Sequence, residues 1–499
     1  MKKAAVVLFL LSLGAVLNLA IPPFQNPDEP LHFATILRFA RGEDQNGVVQ
    51  KEIIRLMDRY GWWRLIGMRS PVARPGRFEE IPFLVGYYGV EDYIVLMNRA
   101  VLYHFGLGKV LGPFAGASVV RAYYLARFVS FMFYLGAMAL IFLTFRRLAE
   151  RIAEDRGGYP AWGFLFAAFL PALAVNSMSV SPDALCLFLG SLFFTCAFAI
   201  LDGGKIRPVH YLFLASAALA GAMVDKSLFA LLPLAALVLV FSMNRKNYRN
   251  VIVLMLFLSI VLILAIYFLA LAFPLQMEHF VLILKTNLRR ALSSYKSYFA
   301  LDPFNREFFG RLVDSFFFRF GWLTFGAGRV VDWVWRGLLI VAGAGTVVWT
   351  GRILLFKLKH RLREIDRERK SDRSPDPGPD DKAVSAPGEG AGSSDAAGRS
   401  SLRIVVFSMI AVLLQVLAVR IAASPDNIYA QGRYLFPYIV PAAFLFILGI
   451  KAFFDLFAKK GAFVLRAVLV LMFVFFNYVL WGLIVPVFHL TAKSPYPGI

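Results

Sequence analysis

A small set of ionisable residues lies within or at the edges of long apolar runs of this chain. Six of them stand out: Asp28, Glu29, Asp183, Asp225, Lys226 and Arg433. An ionisable group at membrane depth is costly to desolvate, and such groups are usually retained for a function. When the apolar runs are threaded alternately through a bilayer, nearly all of these residues fall on one side. This pattern predicts a single polar site at that side.

The segment between residues 22 and 32 carries the strongest local signal. It reads Pro-Pro-Phe-Gln-Asn-Pro-Asp-Glu-Pro-Leu-His, and Pro30 suits the first turn of a helix. Asp28 and His32 would then lie one turn apart. A carboxylate held at the membrane surface could accept a proton from an incoming hydroxyl group, as general-base catalysis requires. Asp is equally suited to an N-cap, and the spacing does not decide between the two roles.

Two turns between apolar runs carry further charged residues. Asp183 follows the polar turn 176–182, where it could cap a helix beginning at Ala184 or orient an acceptor or a cation. In the next turn on the same side, Asp225 and Lys226 are adjacent and could partly neutralise each other. Alternatively, the Lys226 ammonium could neutralise a phosphate group as a compact point charge.

A third group of candidates precedes a late apolar run, in the sequence Gln431-Gly432-Arg433-Tyr434. Arg433 entering the membrane beside Tyr434 suits a clamp on a lipid phosphate, because guanidinium binds phosphate through two parallel hydrogen bonds. Snorkelling of the arginine to the interface is the alternative. The aromatic segment 320–326 could stack on a sugar or belong to an interfacial aromatic belt.

Composition places this chain among membrane proteins. Of its 499 residues, 59% are hydrophobic, and the mean hydropathy is +0.65, well above a soluble globular average. The net charge of +21 does not indicate a nucleic-acid partner, because most short basic clusters lie immediately beside apolar runs. Cys186 and Cys196 lie about 15 Å apart along one predicted helix and cannot pair with each other. No nucleotide-binding or zinc motif occurs, so neither ATP hydrolysis nor a zinc cofactor is expected.

About eleven apolar runs have the length that a membrane helix needs. We predict spans at residues 4–21, 122–145, 161–179, 184–201, 209–224, 228–243, 251–273, 333–356, 404–423, 434–454 and 462–488. The first run could be a cleaved signal peptide, but it exceeds the usual apolar core of about 7–15 residues. Lys and Arg in the short loops predict a cytoplasmic amino terminus. The expected fold class is therefore an all-α integral membrane protein.

The remaining segments divide the chain into three parts. A core at 1–356 contains two exported loops, 22–121 and 274–332, and a last part at 404–499 holds the C-terminal spans. Between them, 357–403 forms a basic cytoplasmic run followed by a linker, 371–400, whose composition predicts disorder. Within the second loop, the amphipathic stretches 280–292 and 308–320 are typical of helices that lie in the membrane interface.

The order in which these motifs occur along the chain resembles that of a known protein family. The Pro-Asp-Glu-Pro-x-His sequence at 27–32, the Ser-Pro-Asp turn at 181–183, Asp225-Lys226, the Phe-Gly-Trp at 320–322 and Gln-Gly-Arg-Tyr at 431–434 occur in one succession. It resembles a family of prokaryotic multi-pass membrane proteins of unassigned function that is grouped with the GT-C superfamily of glycosyltransferases. The resemblance covers most of the chain outside 371–400.

The resemblance implies transfer of a sugar from a polyprenyl-phosphate donor to a glycan, lipid or protein acceptor on the outer face of the cytoplasmic membrane. In such enzymes an acidic residue of the first exported loop is typically the base, a role that matches Asp28, with Glu29 as the neighbour that could replace it. Arg433 and Lys226 would then face the donor phosphate, and His32, Asp183, Asp225, Gln431 and Tyr434 would complete the substrate-binding set. Some relatives use a divalent metal, but clustered outer carboxylates are few in this chain, so none is expected.

Two other functions fit the same charges. A transporter or lipid flippase would use intramembrane charges for substrate passage and would show discontinuous helices near the midplane. A polysaccharide polymerase or ligase would share the lipid-linked donor but depend on basic residues of a large exported loop, such as Lys285, Arg289 and Arg290. Membrane lipids surround the protein in every case, and no nucleic acid is expected.

Overall fold

In the described ranges the computed structural model is all-helical and contains no strand, which confirms the all-α part of the predicted fold class; the count of about eleven spans stays a prediction. Those ranges are residues 3–21, 23–24, 29–41, 53, 56, 101–115, 118–152, 159–202, 208–242, 306–317, 329–371, 391–423, 431–458 and 460–484. The helices, numbered in chain order, are α1 Lys3–Ala20, α2 Glu29–Arg41, α3 Val101–Ala115, α4 Val119–Ile152, α5 Tyr159–Ala168, α6 Pro171–Ser177, α7 Asp183–Leu201, α8 Pro208–Val224, α9 Leu231–Ser242, α10 Arg306–Phe317, α11 Arg329–Ser371, α12 Ala391–Ala423, α13 Ile439–Ala458 and α14 Gly461–Asn477. Two 3₁₀ helices, Lys226–Leu228 and Gly432–Tyr438, and a π-helical stretch, Tyr478–Ile484, accompany them.

Six helices in the described ranges are long and apolar enough to cross a membrane. They are Val119–Ala149, Asp183–Leu201, Val330–Leu355, Ser400–Arg420, Gly432–Phe457 and Gly461–Ile484. Three shorter apolar helical stretches coincide with further predicted spans, at Leu8–Asn18, Pro208–Val224 and Leu231–Ser242. The predicted span 251–273 lies outside the described residues. The orientation of the helices stays a prediction.

Prolines divide one of the predicted spans and accompany a change of helix type in another. The run 161–179 is not one helix, because α5 ends at Ala168 and α6 begins at Pro171. Proline has no N–H to donate and its ring clashes with the preceding turn, so it is tolerated at a helix start and not inside one. The predicted span 434–454 likewise opens as a 3₁₀ helix that contains Pro437, and α13 follows from Ile439.

Two helices extend beyond the predicted spans. The predicted span 333–356 is the centre of α11, which continues without a break through the basic run to Ser371. Lys, Arg and Glu favour helix at these positions and no proline intervenes. α12 begins at Ala391, so the helix takes in residues 391–400 of the predicted linker. The rest of that linker, 372–390, lies outside the described residues.

Close backbone contacts hold the bundle together. α7 packs between α4 and α8, and it also lies against the 3₁₀ helix at 432–438. α11 packs along α13, where Gly345 and Gly449 contact each other's helix backbone so closely that neither position has room for a β-carbon. The Thr346 hydroxyl donates a hydrogen bond to the Leu445 carbonyl oxygen at 3.2 Å across this contact. Small residues with cross-helix hydrogen bonds are typical of helix packing in membranes.

The amphipathic stretch predicted at 308–320 forms α10, but its apolar face is covered by protein. Phe308, Leu312 and Phe316 are buried, and the helix packs on the 3₁₀ helix at 432–438 and on α6. A partner within the chain therefore covers the apolar stripe, and the interfacial location of this helix stays a prediction. The other predicted amphipathic stretch, 280–292, lies outside the described residues.

Candidate functional site

A fully buried ion pair fixes the start of α2 against α4. Glu29 Oε1 lies 3.2 Å from Arg127 Nε, and Glu29 Oε2 lies 3.2 Å from Arg127 Nη2. The two side chains are 0% and 2% exposed. Arg127 Nη1 also donates to the Ile21 carbonyl oxygen at the end of α1, at 2.6 Å. The two-point geometry and the extra acceptor offset the cost of burying both charges.

The same carboxylate holds the polar turn at 176–182. The backbone N–H of Val180 donates to Glu29 Oε1 at 2.8 Å. Within the turn, the Ser179 hydroxyl donates to the Asn176 carbonyl oxygen at 2.6 Å and lies 3.0 Å from Ser181 Oγ. Asn176, Ser179 and Ser181 are all buried. The turn is therefore buried and hydrogen-bonded, and Glu29 positions it.

Asp183 does not cap a helix. It is the first residue of α7, with Pro182 at the cap position and no side-chain cap hydrogen bond, so the predicted cap for a helix beginning at Ala184 is wrong. Ser181 Oγ instead accepts the backbone N–H of Asp183 at 3.3 Å. The Asp183 carboxylate Oδ2 lies 3.8 Å from Arg433 Nη1. An acid in the first helical turn is also stabilised by the positive end of the helix dipole.

Arg433 lies on the 3₁₀ helix Gly432–Tyr438, directly after Gln431. Its guanidinium carbon is 5.5 Å from the centre of the Tyr434 ring, within the range of a cation–π interaction. The Tyr434 carbonyl oxygen accepts a hydrogen bond from Gln415 Nε2 of α12 at 2.6 Å. The arginine is thus presented by a short helix that α12 holds in place.

Gly432 sets how close α10 comes to this arginine. A β-carbon at Gly432 would overlap the backbone of Phe316, and the Gly432 N–H donates to Ser315 Oγ at 2.6 Å. The second position of the Gln-Gly-Arg-Tyr sequence therefore needs glycine for steric reasons. α10 in turn is held by Asp314, which accepts from Arg336 Nη2 of α11 at 2.7 Å.

Asp225 organises its own turn. The backbone N–H of Ser227 donates to Asp225 Oδ1 at 2.7 Å, which is an Asx-type turn that opens the 3₁₀ helix Lys226–Leu228. This short helix packs beside the one that carries Arg433. The predicted neutralisation of Asp225 by the Lys226 side chain lies outside the described part of the chain.

A histidine pair joins α2 to α3. Nδ1 of His32 lies 2.9 Å from Nε2 of His104, and the rings stack at a centroid distance of 5.1 Å. Burial lowers the pKa of His104 well below its usual value, and a charge on His32 would lower it further. His104 is therefore neutral near pH 7.

Tyr103 is a buried phenol whose pKa depends on the charges of the Glu29 and Asp183 carboxylates. Its hydroxyl lies 3.3 Å from Ser130 Oγ of α4, and its side chain is buried. Burial raises the pKa of Tyr103, the hydrogen bond to Ser130 lowers it, and the charges of Glu29 and Asp183 raise it further. The phenol thus stays protonated and close enough to both carboxylates to respond to their charge.

The structure brings together several of the predicted residues and leaves others aside. Glu29 and Asp183 lie at opposite sides of one buried turn, and Arg433 pairs with Asp183. Asp28 lies outside the described residues, as does the aromatic segment 320–326. Sequence reasoning missed Arg127, Tyr103 and His104. Arg127 could have been found, because an arginine within an apolar run is costly to bury in a membrane and is therefore usually functional.

Six apolar helices with a buried polar cluster between them define an all-α, multi-pass membrane protein. Among the described residues, no group of three or more His, Cys, Asp or Glu side chains is arranged to hold a metal ion. No protein-family model, no curated protein and no solved structure matches this chain.

Proposed function

We propose that this protein is a membrane glycosyltransferase that moves a sugar from a polyprenyl-phosphate donor to an acceptor on the outer face of the cytoplasmic membrane. The observation that supports this most is the meeting of α2, the 176–182 turn and the Gln-Gly-Arg-Tyr helix around Glu29, Asp183 and Arg433. These segments are distant in sequence, and the proposed reaction needs an acidic group and a phosphate-binding cation in one place.

Arg433 is the proposed contact for the donor phosphate. Its side chain is 13% exposed and that of Asp183 is 16% exposed, so the pair lies at an accessible edge of the bundle and not in the core. Guanidinium has five N–H donors and can bind several acceptors at once. The Asp183 carboxylate lies close enough to the Arg433 guanidinium to orient it. Lys226, in the neighbouring turn, is the second candidate.

Asp28 is the proposed general base, and it immediately precedes the anchored Glu29 in the sequence. On the other side of Asp28, Phe24 is also anchored: its N–H donates to the Tyr123 hydroxyl oxygen at 3.0 Å, and its φ of 66° is a strained value for a residue other than glycine. Both oxygens of Glu29 are engaged by Arg127 and Val180. Glu29 therefore acts in this proposal as a positioning residue, and not as the base.

The reaction is proposed as one inverting displacement. Asp28 takes the proton of the acceptor hydroxyl, whose oxygen forms a bond to the anomeric carbon of the sugar. The bond between that carbon and the phosphate oxygen breaks, and the electron pair leaves with the polyprenyl phosphate. Arg433 stabilises the charge that develops on this leaving group. The donor arrives laterally from the lipid, so no soluble nucleotide-binding domain is required.

The purified protein in liposomes tests this proposal. Radiolabelled polyprenyl-phosphate hexoses and pentoses are supplied together with a membrane extract as the acceptor source, and transfer of label is measured. We expect transfer by the unaltered chain, and a loss of at least about 100-fold in Asp28→Asn, within the range for a general base. Full transfer by Asp28→Asn would refute the assigned base, and no transfer with any donor would refute the function.

Transport of a lipid or small molecule is the second candidate, and one observation favours it. The division between α5 and α6 makes one discontinuous helix beside the polar turn 176–182, a feature of many transporters. The same liposomes distinguish the two functions. Counterflow of the labelled polyprenyl-phosphate sugar without any covalent product would establish transport and overturn the glycosyltransferase proposal.

A further inference from the structure

The outward side of α11 carries apolar residues beyond the end of its membrane span. The span ends at Leu355, and the helix continues to Ser371. Leu355, Leu358, Leu362 and Ile365 are 59%, 56%, 53% and 40% exposed. Ile365 lies ten residues past the span, about 15 Å along the helix. Lipid tails do not reach that far, so a protein surface is the natural cover for these side chains.

The extension of α11 cannot bury its exposed apolar side chains by lying flat on the membrane. α11 is unbroken from Arg329 to Ser371 and contains no proline. An amphipathic helix that rests in the interface plane would need a bend where it leaves the span. The extension therefore projects from the bilayer along the direction of the span.

The spacing of the exposed apolar residues is that of a coiled-coil seam. The intervals from Leu355 to Leu358, Leu362 and Ile365 are three, four and three residues. With Leu355 and Leu362 at a, and Leu358 and Ile365 at d, the heptad places Lys359 and Asp366 at e and Arg361 at g. The seam is thus flanked by charges of both signs.

We propose that this seam, Leu355–Leu358–Leu362–Ile365, is the interface to a second copy of this chain in a parallel pair. Two copies that share one membrane orientation present α11 in parallel, as the proposal requires. In a parallel pair, the g residue of one heptad faces the e residue of the partner's next heptad. Arg361 would then face Asp366 of the second copy, and the two-fold symmetry forms this attractive contact twice.

The exposed face continues inside the membrane in the same direction. Trp333, Ile340 and Val347 are 72%, 72% and 65% exposed and recur every seven residues. Gly337 lies between Trp333 and Ile340, and Gly351 follows Val347; a β-carbon at either glycine would meet no described atom within 4 Å. A second α11 could therefore pack along the span as well as along the extension. Two heptads alone are marginal in water, but shared anchoring in a bilayer raises the effective concentration of the partner.

Cysteine cross-linking in native membranes tests the interface. Leu358→Cys places a thiol at d, and the matched control Arg363→Cys places one at the exposed b position, turned away from the seam. Cys186 and Cys196 are buried, so we expect no cross-link through them. We expect a product of twice the 55.9 kDa chain mass for Leu358→Cys and none for Arg363→Cys. No such product, or equal amounts from both variants, would overturn the proposal.

A charge exchange tests the parallel register. Arg361→Asp and Asp366→Arg each place like charges opposite one another, whereas the double variant restores attraction with the signs reversed. In the Leu358→Cys background, we expect each single exchange to lower the cross-linked fraction at least about two-fold, and the double exchange to restore it. Failure of the double variant to recover would overturn the pairing with a second copy. All three variants change exposed side chains, and size-exclusion chromatography verifies their folding.

Discussion

The Asp183 carboxylate lies 3.8 Å from the Arg433 guanidinium, although the two residues belong to distant parts of the chain. Asp183 begins α7, and Arg433 lies on the 3₁₀ helix that precedes α13. A second pair lies at the other end of α7, where Asp202 Oδ2 is 3.3 Å from Arg147 Nε of α4. The same helix therefore carries an acid–arginine pair at each end, of which only the first belongs to the proposed site.

Replacing Arg433 should remove sugar transfer while the protein stays folded. Arg433→Gln loses the cation that stabilises the leaving phosphate, and we expect transfer to fall about 100-fold or more. Arg433→Lys should recover part of the activity, because lysine restores the charge and not the two-point geometry. Initial rates of transfer in liposomes measure both effects.

Arg147→Gln is the matched control for this experiment. It removes the arginine of α4 that pairs with Asp202 at the opposite end of α7, so its transfer rate per folded molecule should stay within about two-fold of the unaltered protein. Equal losses in Arg433→Gln and Arg147→Gln would assign both pairs to stability alone.

Breaking the buried Glu29–Arg127 pair should be strongly destabilising. Glu29→Gln leaves the Arg127 charge uncompensated in the core and weakens the acceptor for Val180, at a cost of about 3–5 kcal/mol in the free energy of unfolding. The double variant with methionine at both positions should recover part of this loss, because no unpaired charge remains. Denaturant titration in detergent micelles measures the three free energies.

Lys451→Met serves as the control for that series. Lys451 pairs with Asp455 one turn away on α13, with side chains 23% and 25% exposed. Its loss should cost at most about 1 kcal/mol. A cost for Glu29→Gln no larger than that would contradict a strongly stabilising role of the buried Glu29–Arg127 pair.

Gly432→Ala should separate α10 from the helix that carries Arg433. The added methyl group would overlap the Phe316 backbone, which cannot rotate away, and we expect a loss of about 1–3 kcal/mol together with reduced transfer. Gly106→Ala in α3 meets no described atom within 4 Å, and it should be neutral or stabilising by up to about 1 kcal/mol. The melting temperatures of Gly432→Ala and Gly106→Ala, measured in parallel, test both expectations.

Acid should weaken the contact between α2 and α3 through His104. Burial holds its folded-state pKa well below the unfolded value of about 6.5, so in that range the unfolded chain binds a proton that the folded chain does not. The contribution of His104 to stability is therefore full above about pH 6.5 and is lost as the pH falls toward the lowered folded pKa. His104→Gln should reduce the drop in melting temperature between about pH 7.5 and about pH 5; an unchanged drop would refute this assignment.

The helical character of the chain could be predicted from local sequence because hydropathy and length together limit what a bilayer accepts. The run 184–201 coincides closely with α7, Asp183–Leu201. The boundaries of α11 and α12 could not be predicted in this way. Both helices continue past their apolar parts into polar sequence that forms helix when an adjacent span nucleates it.

The sequence identified several residues of the candidate site, but it did not predict which of them would be in contact. Asp183 and Arg433 stand out because charges beside apolar runs are rare. Their pairing depends on how α7 packs against the 432–438 helix, where Gly190 contacts the Pro437 carbonyl group. The sequence also did not predict that Glu29 holds a buried turn, because its partners Arg127 and Val180 come from two distant segments.

By itself, the sequence determined that this protein is a helical membrane protein with a few costly charges, since composition and periodicity act through local interactions with lipid. Only the tertiary structure decided which charges meet. Ion pairing depends on separations of a few ångströms between helices, and those separations are set by close packing at positions such as Gly432 and Gly449. A pattern along one helix contains no information about the side chain that faces it across the bundle.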